Sequence, residues 1–143
     1  MVNGIQKSKN APSIEQSTKE ELNTLNEIVT YMEAKHLADK IEEILECYQD
    51  FKQAIFQLLP DCELSVRKFW IAFKKDNHDI VDIEIQKKQL KICINAKIGQ
   101  IDDPKNLLRD VSTIGYYGNG EYQVSVQDTT DLEYIMSCIK QIL

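Results

Sequence analysis

Two carboxylates stand two residues apart in the stretch VDIEIQKK: Asp82 and Glu84. In an extended chain, residues i and i+2 share a face. Asp82 and Glu84 could therefore hold a divalent cation between them, and a metal so held could activate water for hydrolysis. A solvated strand face, neutralised by nearby Lys91, accounts for the same residues without any chemistry.

Restriction-type nucleases carry an acid and a lysine two apart on a metal-facing strand, with a further acid upstream. Here Gln86 stands where that lysine is needed, and Lys87 points to the opposite face. The metal-dependent hydrolase is therefore the alternative reading.

The same alternation extends the polar face well beyond two acids. Trp70, Lys74, Asp82, Glu84, Lys91, Cys93, Asn95, Gln123 and Ser125 all fall opposite the apolar residues of their segments. A tryptophan on a polar sheet face suits an interface anchor. It equally suits packing under the early helix or under Tyr116 and Tyr117.

A third stretch, RDVSTIGYYGNGEYQVSV at residues 109–126, holds three of the chain's five glycines and three of its six tyrosines. Gly115, Gly118 and Gly120 are spaced GxxGxG, but a strand pattern follows them. A dinucleotide loop needs the strand before and a helix after, so that the helix N-terminus meets the phosphates. Asn119-Gly120 reads instead as a turn pair entering a strand, where a left-handed backbone is expected at Gly120. Arg109 and Asp110 would brace the loop as a local ion pair. Binding by Arg109, Tyr116 and Tyr117 comes second to this structural role.

Cys47, Cys62, Cys93 and Cys138 are scattered with no CxxC pair, and the only histidines are His36 and His78. Neither a disulfide framework nor a structural zinc site has this spacing. The cysteines read as reduced core thiols. No cofactor is expected, and no catalytic residue is assigned.

These residues need elements to hold them. Residues 1–17 lack periodicity and read as a flexible arm. A capping box of Thr18 and Glu21 opens a helix, and Leu22, Leu25, Val29 and Met32 form its apolar stripe. A second stripe runs from Leu37 through Ile41, Ile44, Leu45, Tyr48, Phe51 and Ile55 to Leu58, so the helix either bends or restarts near Asp39. Pro60 ends it. The period then changes from 3.6 to 2. Phe69, Ile71 and Phe73 share one face, as do Val81, Ile83 and Ile85, then Leu90, Ile92 and Ile94, then Tyr122, Val124 and Val126. Four alternations predict a four-stranded, mainly antiparallel sheet. A Lys87-Lys88 turn would set Glu84 opposite Lys91. Asp103 and Pro104 predict a short helix, and Thr130 with Glu133 a second capping box before a final helix. The fold class is α+β, with helices on one sheet face and an N-terminal helical segment. The expected divisions are an arm at 1–17, a helical extension at 18–37 and an α+β domain at 38–143.

With 143 residues the chain suits one domain. Its net charge of −6 argues against a general nucleic-acid binder. No apolar run reaches the about 18 residues of a membrane span, and the N-terminus lacks a signal peptide's apolar stretch. A cytoplasmic protein is expected, with no membrane partner.

The segments KFWIAFKK, VDIEIQKKQLKICI, DDPKNLLRDVSTIGYYGNGEYQVSV and DLEYIMSCIKQIL resemble, in order, a bacterial and archaeal C-terminal domain of unknown function. That domain occurs in so-called predicted transport proteins and beside restriction-endonuclease-like nuclease domains. The resemblance covers about residues 38–143. It implies an accessory module of a DNA-processing or defence system, with nucleic acid as a partner only through that context. The family usually has a histidine or aromatic after the loop's first glycine; here it is Tyr116. The functional expectation is a non-catalytic interaction module. It would bind a partner or nucleotide-like ligand through Trp70, Lys74, Glu84, Lys91, Arg109, Tyr116 and Tyr117, with a protein partner or self-association through residues 18–37.

Overall fold

The computed structural model describes the backbone of residues 11–114 and 120–143, with side chains from residue 19 onward. Helix α1 runs over Ala11–Leu37. Pro12 lies in its first turn, where a missing N–H costs nothing because first-turn amides have no helical acceptor. Thr18 is therefore inside the helix, and the expected capping box is not its start. The chain leaves α1 through Asp39, whose φ of 62° no right-handed helix continues through. Helix α2 (Glu42–Leu58) then restarts behind Ile41 rather than behind a capping Asp39. Glu42 and Glu43 occupy its first turn, where negative charge meets the positive end of the helix dipole. Ile44, Cys47, Tyr48, Phe51 and Ile55 form its buried stripe.

The sheet has six strands among the described residues, not four, with every neighbouring pair antiparallel. They are β1 (Glu63–Val66), β2 (Ile71–Lys75), β3 (His78–Ile85), β4 (Leu90–Ile94), β5 (Arg109–Asp110) and β6 (Tyr122–Val126), in the order β1-β2-β3-β4-β6-β5. The two unforeseen strands are the short edges. Four residues and two residues give too few alternations to register as a pattern.

Phe69 does not belong to a strand. Arg67 N–H donates to the Trp70 carbonyl at 2.8 Å, which closes the β1–β2 turn and leaves Phe69 half exposed. The β2–β3 turn uses Asp76 and Asn77, both at positive φ (50° and 65°), as a two-residue hairpin that follows the strand twist. One residue further, the register slips between Phe73 and Lys74, so that Ile80 is the extra residue of a bulge. The β3–β4 hairpin turns at Lys87-Lys88 as expected, and Glu84 faces Lys91.

The expected short helix after Asp103 is absent. Asn106 takes a left-handed φ of 51° and interrupts it. Asp103 still acts as a cap for the turn, accepting from the Leu107 and Leu108 amides at 3.1 and 2.8 Å and from the Tyr134 hydroxyl. Burial tends to raise its pKa, but the donations from Tyr134, Leu108 and Leu107 outweigh this and hold it below the ordinary carboxylate value. Helix α3 (Leu132–Lys140) follows Asp131 without a side-chain cap, and Asp128 takes the Thr130 amide at 2.9 Å. The Thr130–Glu133 capping box is thus replaced by an Asx turn.

The apolar sheet face packs under α2 and α3. Ile71, Phe73, Val81, Ile83, Leu90, Ile92, Ile94, Ile135 and Ile139 are fully enclosed there. The last turn of α1 joins the same body. Glu33 accepts from the Tyr48 hydroxyl and from Lys52, and His36 Nε2 donates to the Arg67 carbonyl at 2.7 Å. Further up α1, Leu22, Leu25, Ile28 and Tyr31 are exposed.

Candidate functional site

Antiparallel register builds the polar face as rows. One row reads Ser65, Ala72, Asp82, Cys93, Gln123, Arg109 across all six strands. The next holds Glu84, Lys91 and Ser125. Over these rows lies a small cleft lined by Trp70, Asp82, Glu84, Lys91, Cys93 and Gln123. Trp70 reaches it because the β1–β2 turn closes beside the start of β2. Ala72, next to Asp82 in the row, is too small to fill the space.

Asp82 is only 3% exposed. Its Oδ2 accepts from Asn95 Nδ2 at 3.2 Å, while its Oδ1 is buried with no hydrogen-bond partner among the described residues. A carboxylate offers two acceptor oxygens and no donor, so an unfilled one in a dry site costs free energy. Burial is the main cause that pushes the Asp82 pKa up to about 6; nearby Asp79 adds to it, while Asn95 and Arg67 act against it. Arg67 is itself engaged, with Nη2 on Asp79 at 3.1 Å and Nε on Ser65 at 3.1 Å. Gln123 Nε2 donates to Cys93 Sγ at 3.7 Å. Burial likewise raises the Cys93 thiol, which leaves it a weak nucleophile.

Of the residues expected from sequence, the fold brings Trp70, Glu84 and Lys91 together around Asp82. Lys74 is not among the lining residues; beyond the bulge it donates to Asn77 at 3.3 Å. Arg109 stands one strand beyond Gln123 on the exposed edge. Asp110 turns its carboxylate to the Ser112 amide at 2.8 Å, so the expected Arg109–Asp110 pair is replaced by a local turn. Tyr116, Tyr117, Gly115, Gly118 and Asn119 lie outside the described residues.

Gly120 is described, and it corrects the reason given for it. Among the described glycines only Gly99 has a positive φ. A β-carbon on Gly120 would instead overlap the Ile94 carbonyl and crowd Asn95 Oδ1. The glycine is required by the close approach of the segment entering β6 to the end of β4, and the Asn95 beside it is the residue that holds Asp82.

Sequence reasoning missed Arg67, Asp79 and Glu33. Each is a charged residue whose partner is supplied by a different element, and spacing carries no trace of that.

No helix among the described residues is long and apolar enough to cross a membrane. No group of three or more His, Cys, Asp or Glu side chains among them is placed to hold a metal ion.

The chain is similar to an uncharacterized protein of Haemophilus influenzae, 52% identical over 145 residues, a match that takes in 99% of this chain and 48% of the relative. The chain thus spans about half the length of that protein. No solved structure matches it. A family model described as a domain of unknown function, DUF5655, matches residues 33–141, which takes in the last turn of α1 with Glu33 as well as the sheet and α3. The chain belongs to the DUF5655 family.

Proposed function

We propose that the protein is a non-catalytic interaction module that engages its ligand or partner on the polar sheet face, over the cleft at Asp82. The observation that carries this reading is the buried Asp82 Oδ1, which has no donor among the described residues. Folded chains rarely leave such an atom unfilled, and each exception calls for an explanation, a functional role or a bound water or ion among them. An aromatic side chain and several polar groups converge on the same small cleft, the usual composition of a binding site.

The hydrolase alternative fits the donor set poorly. A hard divalent cation needs carboxylates free to bind it, with water and substrate oxygens filling its remaining positions. This face offers Asp82 and Glu84; Glu84 already accepts from Gln86 at 3.3 Å and faces Lys91 across the strands. The buried thiol of Cys93 suits soft metals, not the hydrolytic magnesium or manganese sites.

The wider setting is part of the same proposal. The resemblance to domains found in so-called transport proteins and beside nuclease domains supports an accessory role in a longer, cytoplasmic protein. So does a relative with as much sequence again outside the match. In that setting nucleic acid would be handled by a neighbouring domain. The exposed apolar residues of α1, Leu22, Leu25 and Met32 with Val29 between them, support contact with another protein or a second copy.

The test is thermal unfolding of the chain with millimolar magnesium or manganese and with chelator, alongside a panel of nucleosides and amines. The expected outcome is no metal effect, and a ligand-dependent rise in Tm that Asp82→Asn removes. A metal-dependent rise in Tm that Glu84→Gln abolishes would replace this reading with the hydrolase.

A further inference from the structure

The chemistry of the cleft narrows what it can take. Its lining holds several acceptors: Asp82 Oδ1, which has no donor among the described residues, the Glu84 carboxylate, which already accepts from Gln86, and Cys93 Sγ, which already accepts from Gln123. Among the described lining residues the only formal cation is Lys91, set against two carboxylates. The cleft therefore carries one negative charge in excess when Asp82 is ionised. The neighbouring Arg67–Asp79 pair is internally neutral and adds none. A positively charged donor would be drawn in, and an anion refused. Trp70 lines the same cleft, and an aromatic ring attracts a cation that sits over its face. The space holds at most about one water-sized group. A planar guanidinium or a nucleobase is larger than that. An ammonium group, compact and carrying three N–H donors, matches in charge, size and hydrogen bonding.

We propose that this cleft takes a single primary ammonium group, seated on Asp82 Oδ1 with Trp70 as its wall. The proposal rests on the reading of the polar face as the binding surface, and it names the ligand class. The shared chemistry has two sources, a free small amine or the end of a lysine side chain on a partner.

Asp82 loses its charge below pH about 6, so ammonium binding weakens in acid. The other charged groups facing it are Asp79 and Glu84 from its own strand, Arg67 from the β1–β2 turn and Lys91 from β4. The Cys93 thiol, also on β4, is shifted upward by burial and is uncharged in this range.

The chain has one tryptophan, so Trp70 emission reports on this cleft alone. The full chain is titrated at pH 7.5 with methylammonium chloride, with Nα-acetyl-lysine amide, with adenosine and guanosine, and with tetramethylammonium chloride at matched ionic strength. The expected result is a saturable change with methylammonium and none with tetramethylammonium, which has no N–H to give. In unchanged chain the apparent affinity should fall about tenfold from pH 7.5 to pH 5, following the ionised fraction of Asp82. Asp82→Asn should abolish the response. Saturation by the lysine derivative as well would assign the site to a partner's lysine; saturation by methylammonium alone would assign it to a free amine. Equal responses to both ammonium salts, a pH-independent affinity or an undiminished Asp82→Asn response would each overturn the proposal. A response to nucleosides but to no amine would overturn the ammonium assignment while leaving the binding face in place. No response to any ligand would overturn both.

Discussion

The buried phenol of Tyr48 donates to Glu33 Oε2 at 2.5 Å, and Lys52 reaches the same oxygen at 2.8 Å. This joins the last turn of α1 to the middle of α2. The Tyr48 pKa is pushed up by burial first, and then by the Glu33 carboxylate that holds its proton in place. Replacing Glu33 with Ala strands a fully buried hydroxyl and should lower stability by about 1–3 kcal/mol. Tyr48→Phe added to Glu33→Ala should cost less than the sum of the two single changes, because the stranded hydroxyl is gone. Urea midpoints of the three variants check this; additive losses would show that the two groups do not act together.

The same contact bears on how much of α1 the domain needs. A chain beginning at Met32 keeps Glu33 and His36 and should unfold at nearly the urea midpoint of the full chain. A chain beginning at Asp39 loses both and should be clearly weaker. If the exposed Leu22, Leu25 and Met32 hold two copies together, the shorter chains should also be monomeric where the full chain is not. Light scattering of the three chains reads this directly.

Gly120 tests crowding against strain. If a left-handed backbone were the reason for glycine, Asn would be tolerated there far better than Ala. The Ile94 carbonyl blocks any β-carbon, so Gly120→Ala and Gly120→Asn should be similarly harmful, by about 1–3 kcal/mol, the range of an overpacked site. Thermal unfolding of both variants separates the causes: a mild Asn variant beside a damaged Ala variant would restore the backbone explanation.

Asp82 should make the protein less stable as pH rises. Its folded pKa is about 6 against an ordinary 3.8, so between these values the folded chain holds a proton that the unfolded chain has released. Stability from this group is greatest below pH 4, falls through the window from 4 to 6, and is lower above it by about 3 kcal/mol. Asp82→Asn removes the buried charge. It should stabilise the chain at pH 7 by about 1–3 kcal/mol and flatten this part of the pH profile. Chemical denaturation at pH 4, 5, 6 and 7 measures it. A variant less stable than the parent at pH 7 would mean that the carboxylate is satisfied in solution.

The core should answer to its register. Ile83 and Ile92 pair directly across β3 and β4 and are both fully buried. Either changed to Ala should cost about 2–4 kcal/mol, and the β6 neighbour Val124, a smaller side chain, somewhat less. Denaturant midpoints that barely move would show the wrong face packed under the helices.

The chain's local patterns carried most of its interior. Period-two alternation in four segments set which side chains turn inward, Phe69 excepted, and a 3.6 period set the buried stripe of α2, though Ile41 before it stays exposed. Those signals are local because burial repeats with the geometry of the element itself. The Glu84–Lys91 pairing was legible too, since a short hairpin ties register to sequence distance. Edge strands β1 and β5 were not legible, because two to four residues carry almost no periodicity. The short helix after Asp103 was a local expectation that the left-handed Asn106 defeated. The cleft depended on the tertiary structure throughout. Asp82 looked like half of an acidic pair on a wet strand. Only the approach of Asn95, the turn that delivers Trp70 and the small Ala72 beside it make it a buried carboxylate with one oxygen unpaired among the described residues. Desolvation is a property of everything that surrounds a group, and no spacing along one strand encodes it. Gly120 shows the same division: the sequence marked the position as needing glycine, while the reason, the Ile94 carbonyl on another strand, exists only once the strands have met.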